Sequence, residues 1–141
     1  MKKGIEFSLA KINSNQFSTL EVQIDDESQI DILANIDFGI DPAKNRVKCL
    51  SKFEFQYQSQ PFIIISADCE FQLSATTWSS LVKASGIELP KGFLQHLAVL
   101  TIGTVRGILH AKTENTDYNR FYLPTLDITG LIDGDLTIPL G

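Results

Sequence analysis

The stretch from Phe93 to Thr113 sets the strongest limit on what this chain can fold into. It reads as one long helix, with no charged residue from Leu97 to Val105. Leu94, Ala98, Val105 and Ile108 fit one helical stripe, and Phe93, Leu97, Leu100 and Ala111 fit a second. Two stripes are more apolar surface than a single neighbour covers, so the helix should pack on a sheet with one face and on a further partner with another. Gly103 and Gly107 stand one turn apart on the same side, where each costs about 1 kcal/mol against alanine. Close approach of another backbone is the expected reason, and a second subunit is the first candidate. Gly103, Arg106 and Gly107 together mark the expected oligomer interface.

The 141 residues suffice for one ordinary core and are too few for two large domains, so residues 1–141 are expected to form a single domain. A formal charge of -5 argues against a general nucleic-acid binder, which usually presents a basic face. The long helix carries His96 and Arg106, and uninterrupted apolar runs stay short of the roughly 18 residues that membrane insertion needs. Met1-Lys2-Lys3 starts basic, but Glu6 and the alternating polar residues deny the N-terminus a signal-peptide core. The expected compartment is the cytoplasm.

The first half alternates with period two. From Ile30 to Ile40 the even positions are apolar and the odd ones mostly polar, which predicts a strand buried on one face. Val47, Cys49, Phe53, Phe55 and Tyr57 predict a second strand, and Ile63, Ile65, Ala67, Cys69, Phe71 and Leu73 a third. The polar Gln58-Ser59-Gln60-Pro61 between them predicts an antiparallel hairpin. Ile5, Phe7 and Leu9 begin an N-terminal strand; Leu20, Val22 and Ile24 continue it after a break near Asn13 to Gln16. Centred on Ser59, the hairpin sets Cys49 opposite Cys69 on the inner face, where both read as small buried hydrophobes. A catalytic thiol would need a base, and neither His96 nor His110 can be set beside either cysteine by spacing. On the outer face Glu6, Asp31, Asp37, Glu54, Asp68 and Glu70 stand against Lys48 and Lys52. That acidic face is either ordinary solvated surface or, through Asp31, Asp37, Asp68 and Glu70, a docking surface for a basic partner.

In the second half Ser74 is placed to cap a short helix through Trp78, Leu81 and Val82 to about Ser85, ended by Gly86. Ile87-Glu88-Leu89-Pro90 crosses over, and Pro90 suits the first turn of the long helix. After it come polar residues, an apolar but irregular segment from Tyr118 to Ile132, and a tail with Leu136, Ile138 and Leu140. Chemistry is scarce: no P-loop, no G-x-G-x-x-G after a strand, no H-E-x-x-H and no G-x-S-x-G. Two cysteines and two histidines match no zinc spacing. No catalytic residue, metal or cofactor is expected. Arg106, amid apolar residues, pairs with a carboxylate or with carbonyls at a subunit edge, or else binds a substrate anion. His96 and His110, on one side of the helix, read as surface or interface residues, and Trp78 as a core anchor.

Four antiparallel strands, a short helix, a proline-bearing crossover and a long helix with a central arginine resemble the SecB-type export chaperones. The resemblance is best from about Phe62 to Ile132. Its anchors are Cys69-Glu70-Phe71, Leu100 to Lys112 around Arg106, and Phe121-Tyr122-Leu123-Pro124-Thr125-Leu126-Asp127-Ile128, similar to that family's proline-bearing segment before its final helix. Here Gly130, Gly134 and Pro139 shorten or remove the final helix that in the family covers the client groove. The resemblance implies an α+β fold, a four-stranded antiparallel sheet followed by a short and a long helix packed on one face. It also implies a dimer of dimers, with long helices between subunits and a groove for unfolded segments. Its implied partners are unfolded polypeptides, and beyond them a translocation motor or, as for some SecB-like relatives, an antitoxin.

The leading expectation is therefore a non-enzymatic, ATP-independent chaperone of unfolded or nascent polypeptide. Phe17, Leu20, Leu126, Ile128, Leu131 and Ile132, which no regular element clearly buries, are the expected client-binding residues; core or dimer contact is the alternative. The competing class is a hotdog-like small-ligand binder or thioesterase, a fold whose helix comes early in the chain rather than after all the strands.

Overall fold

The structure is a computed structural model that describes residues 4–140; the basic start Met1-Lys2-Lys3 and Gly141 lie outside the described residues. The architecture is α+β. Strands β1 (Ser8–Thr19), β2 (Ile30–Asp41), β3 (Arg46–Tyr57) and β4 (Gln60–Gln72) form an antiparallel sheet in the order β1-β4-β3-β2. The apolar alternation fixes which face is inward: Val47, Cys49, Phe53 and Phe55 of β3 and Ile63, Ile65, Ala67 and Phe71 of β4 are buried. Gln58 and Ser59 both take left-handed backbone (φ 51° and 66°) in the two-residue turn between β3 and β4, as the twist of a tight hairpin requires. The register sets Cys49 opposite Cys69, and both thiols are free and buried.

Two expectations for the first strand are corrected. β1 is not broken near Asn13 to Gln16; it pairs with β4 from Ser8 to Thr19 and absorbs extra residues as bulges between Leu9 and Lys11 and between Ser14 and Gln16. Leu20, Val22 and Ile24 do not continue it. They belong to the connection that must run from one sheet edge to the other, because β1 and β2 are opposite edges. This crossover is tied to the hairpin end by the Leu20 amide on the Phe62 carbonyl (2.9 Å) and the Asp25 amide on the Tyr57 hydroxyl (3.2 Å).

Helix α1 (Ala75–Leu81) is capped by Ser74, whose hydroxyl accepts from the Thr77 amide, and it stops earlier than expected. Val82 leaves the helix to begin β5 (Val82–Lys83), which with β6 (Gly86–Leu89) and β7 (Leu136–Ile138) makes a second, three-stranded sheet, order β5-β6-β7. The expected crossover Ile87–Leu89 is thus a paired strand. Gly86, at φ 136°, lies so close to the Ile138 carbonyl that a side chain would collide with it.

Helix α2 (Lys91–Thr113) lies over β3 and β4. It has the length and mean hydropathy (1.3) of a membrane-spanning segment, but 44% of that window is buried in the fold. Phe93, Leu94, Leu97, Ala98, Val105 and Leu109 are in the core, whereas Leu100 and Ala111 of the second stripe stay exposed and Ile108 half-buried. Trp78 anchors α1 in the cluster built around Phe71, Leu89 and Leu97. After a 3-10 turn at Asp117–Arg120 the chain returns along α2 and closes with the one-turn helix α3 (Ile128–Leu131), capped by Asp127.

Candidate functional site

The sheet is wider than the helix that covers it, and this determines where apolar surface is left open. With α2 seated on β3 and β4, the inner face of each edge strand depends on other cover. On the β2 side the returning segment supplies it. Arg106 holds that segment in place: its Nε donates to the Leu123 carbonyl and an η nitrogen to the Pro124 carbonyl, both at 2.8 Å. Of the partners expected for Arg106, these two carbonyls belong to its own chain. Gln95 adds a bond to the Ile132 carbonyl (2.8 Å).

Between α2 and this segment two open hollows remain. One, about 190 Å³, is lined by Val99, Ile102, Arg106, Thr125, Leu126 and Ile128. The other, about 410 Å³, lies over β2, where Ile36, Phe38 and Leu94 face Leu131, Ile132 and the residues leading to Ile138. Four of the expected client residues come together here. Leu126 and Ile128 are half-buried and Leu131 is exposed, whereas Ile132 is buried in the core.

Phe17 and Leu20 do not join them. Phe17 lies on the inner face of β1, at the opposite sheet edge, and packs on the cluster around Phe53 and Phe62. Leu20 is exposed at the start of the crossover, its carbonyl accepting from the Tyr118 hydroxyl (3.1 Å). None of the hollows lined by Leu126, Ile128, Leu131 or Ile132 also takes in Phe17 or Leu20. The crossover encloses its own hollow of about 610 Å³, lined by Val22, Ile24, Phe62, Tyr118, Arg120 and Phe121 among others. Arg120 closes its rim by pairing with Glu27 (3.1 Å) while resting 4.8 Å over the Phe121 ring. Sequence reading missed these residues, although the alternation of Leu20, Val22 and Ile24 was a signal that the crossover turns one side inward.

On the β1 side the described residues leave part of the inner face open. Leu9 and Ile12 of β1 and Leu100 of α2 are each between 41% and 51% exposed. Gly103 and Gly107 are exposed on α2, and apart from the helix's own adjacent backbone no atom of the described residues lies within 4 Å of where a side chain would begin. The expected close approach does not come from within the described residues.

The outer sheet face is less acidic than expected. Asp31 and Asp37 are exposed and Asp68 half-buried, but Glu70 is buried, not free in solvent. Its carboxylate accepts from Asn13 (2.9 Å) and pairs with Arg46 (3.4 Å). The Asn13 hydrogen bond, followed by the nearby Lys48 charge, holds Glu70 below the usual carboxylate range. Lys11 and Arg46 also lie on this face, beside Lys48 and Lys52, because β1 and β3 bring them next to Glu70 and Gln72. Charges of both signs interleave there.

Among the described residues no three His, Cys, Asp or Glu side chains cluster as metal ligands would. His96 meets Phe7 edge-on and His110 stacks on Tyr122, far apart along α2. Cys49 has no base beside it; burial pushes its thiol up to about 12.

No protein-family model and no curated protein sequence matches this chain. Its fold is similar to that of a SecB-like chaperone of Mycobacterium tuberculosis, solved in complex with a ChAD peptide from the HigA1 antitoxin. The two superpose with a TM-score of 0.50 over 86% of this chain and 91% of the other, at 12% sequence identity. The four-stranded sheet followed by a short and a long helix is thus a SecB-like fold. A hotdog-like arrangement, with its helix early in the chain, is not what the strands and α2 form.

Proposed function

We propose that this chain is an ATP-independent chaperone that holds extended, unfolded polypeptide against apolar surface beside α2, and that it does so as a homo-oligomer. The observation that carries the reading is the pair of open hollows between α2 and the returning segment, where Leu126, Ile128 and Leu131 stand only partly covered in a SecB-like fold. Contiguous apolar surface left open usually marks a binding site. Each client side chain seated there contributes roughly 1–2 kcal/mol, so holding depends on many weak contacts along a long segment. The half-exposed face made by Leu9, Ile12 and Leu100, with Gly103 and Gly107 open beside it, supports a second copy as its cover.

The similar chaperone was solved holding an antitoxin peptide, so an antitoxin segment joins nascent exported chains among the clients this reading allows. Asp31, Asp37 and Asp68 are the residues left for docking a basic partner such as a translocation motor; Glu70 supports that face from within.

The test is Leu126→Ser with Leu131→Ser, assayed for binding of a labelled unfolded protein. The reading predicts at least about a tenfold loss of affinity, from two seated side chains, with the melting temperature nearly unchanged. Unchanged affinity in a folded variant contradicts the site. If the double variant unfolds, Leu131→Ser alone, at the exposed position, decides between the same two outcomes.

A further inference from the structure

Arg106 is a half-buried cation with no counter-ion among the described residues. The cations that pair there with carboxylates are Arg46, Lys52, His110 and Arg120. Asp127, between Leu126 and Ile128, accepts instead from the amide and the hydroxyl of Thr129 (3.1 and 2.6 Å). A guanidinium carries five N–H donors, and the bonds to the Leu123 and Pro124 carbonyls occupy only two of them. Two carbonyl dipoles fix the side chain in place, but they leave its full positive charge uncompensated.

This cation lines the open hollow of about 190 Å³ between α2 and the returning segment. Apart from Arg106 and Thr125 the lining is apolar, from Val99, Ile102, Leu126 and Ile128, and no acidic side chain takes part in it. At roughly 30 Å³ for a water-sized group, the hollow has room for about six such groups. That is well below the size of a pocket for a drug-sized ligand. A guanidinium binds a carboxylate through parallel N–H···O bonds that are stronger than neutral ones. The apolar walls favour a hydrocarbon body that displaces water from them. We infer that this hollow binds a small apolar carboxylate of the size of hexanoate. Its head lies on the remaining N–H groups of Arg106, and its body lies against Val99, Ile102, Leu126 and Ile128. The inference needs only Arg106 and this hollow, and it does not rest on the chaperone reading.

The probe is hexanoate, titrated into the isotope-labelled whole chain while the Nε–H resonance of Arg106 is followed by NMR. Absence of that resonance from Arg106→Lys assigns it. Hexanamide, with a neutral head, and acetate, without the hydrocarbon body, are the controls. Hexanoate should shift the Arg106 resonance and bind at least about fivefold tighter than hexanamide at low salt, the gap narrowing as salt rises. It should bind at least about tenfold tighter than acetate, from the methylenes seated on the walls. Val99→Glu sets a negative charge in the same wall and should weaken hexanoate about threefold. Val99→Lys, at the same position, should preserve or improve binding. Val99 is 52% exposed and takes no part in the carbonyl clamp, so both variants should melt nearly as the unmodified chain does. Equal binding of hexanoate and hexanamide, an Arg106 resonance that hexanoate does not move, or the same response from the Glu and Lys variants would each overturn the inference and leave Arg106 as a clamp alone. No unfolded protein is present in this titration. Its failure therefore removes the carboxylate site and not the chaperone reading, which suppression of aggregation tests by itself.

Discussion

Cys49 occupies the inner face of β3, directly opposite Cys69 on β4 and fully buried. The alternation of the two strands and a hairpin centred on Ser59 made this pairing legible in the sequence. Its chemical consequence depends on burial, which keeps the Cys49 thiol protonated to about pH 12. The unfolded thiol ionises near its ordinary value of 9.0. The resulting stabilisation is complete below pH 9 and is lost as pH rises from 9 toward 12, because only the unfolded state releases its proton there. Cys49→Ala should flatten the fall of unfolding free energy between pH 9 and 12, measured by urea titration at stepped pH; an unchanged slope would contradict it. Arg106 was legible as an unusual charge on an apolar helix, but not its target. Spacing carries no information on which carbonyls a returning loop presents. Arg106→Gln should destabilise the fold by about 1–3 kcal/mol through two lost charge-assisted bonds. Arg106→Lys should recover little of that, since a single ammonium cannot span both carbonyls as the guanidinium fork does. Denaturant midpoints of the two variants check this.

Among the elements, α2 was the most legible, because a 3.6-residue period sustained over six turns has no other solution. The three short strands β5, β6 and β7 were not. Trp78, Leu81 and Val82 fit a helical spacing, so Val82 read as part of a helix running to about Ser85, and strands of two to four residues show no period. The useful signal was Gly86, since a glycine in a strand often marks close approach of another backbone. The bulges of β1 hid its continuity in the same way, since each extra residue reverses the alternation on which the reading depends. Gly103 and Gly107 on α2 separate two explanations. No other described part of the chain crowds them, so for an isolated subunit Gly103→Leu should stabilise the helix by up to about 1 kcal/mol. If a second copy packs there, the same substitution raises or preserves the stability of the subunit yet lowers the assembly mass. Light scattering coupled to size exclusion reads the mass. An unmodified protein that behaves as a monomer, or a Gly103→Leu oligomer of unchanged mass, would contradict an interface at this position.

At the scale of the molecule the sheet order and the position of α2 divide the apolar surface into territories. The individual client candidates were legible as apolar residues without an obvious home. Their grouping was not, because it depends on which side of α2 each sheet edge falls, and β1 and β2 are separated by the whole width of the sheet. The β2 side therefore keeps Leu126, Ile128 and Leu131 beside α2, and the β1 side leaves Leu9, Ile12 and Leu100 half-exposed. One measurement tests the central claim most directly: light scattering from a chemically unfolded test protein diluted into buffer with and without this chain, nucleotide being absent throughout. The account predicts that the chain lowers aggregation in proportion to its amount, and that folded test protein does not compete. Aggregation that proceeds equally with and without a folded, soluble sample of the chain would contradict it.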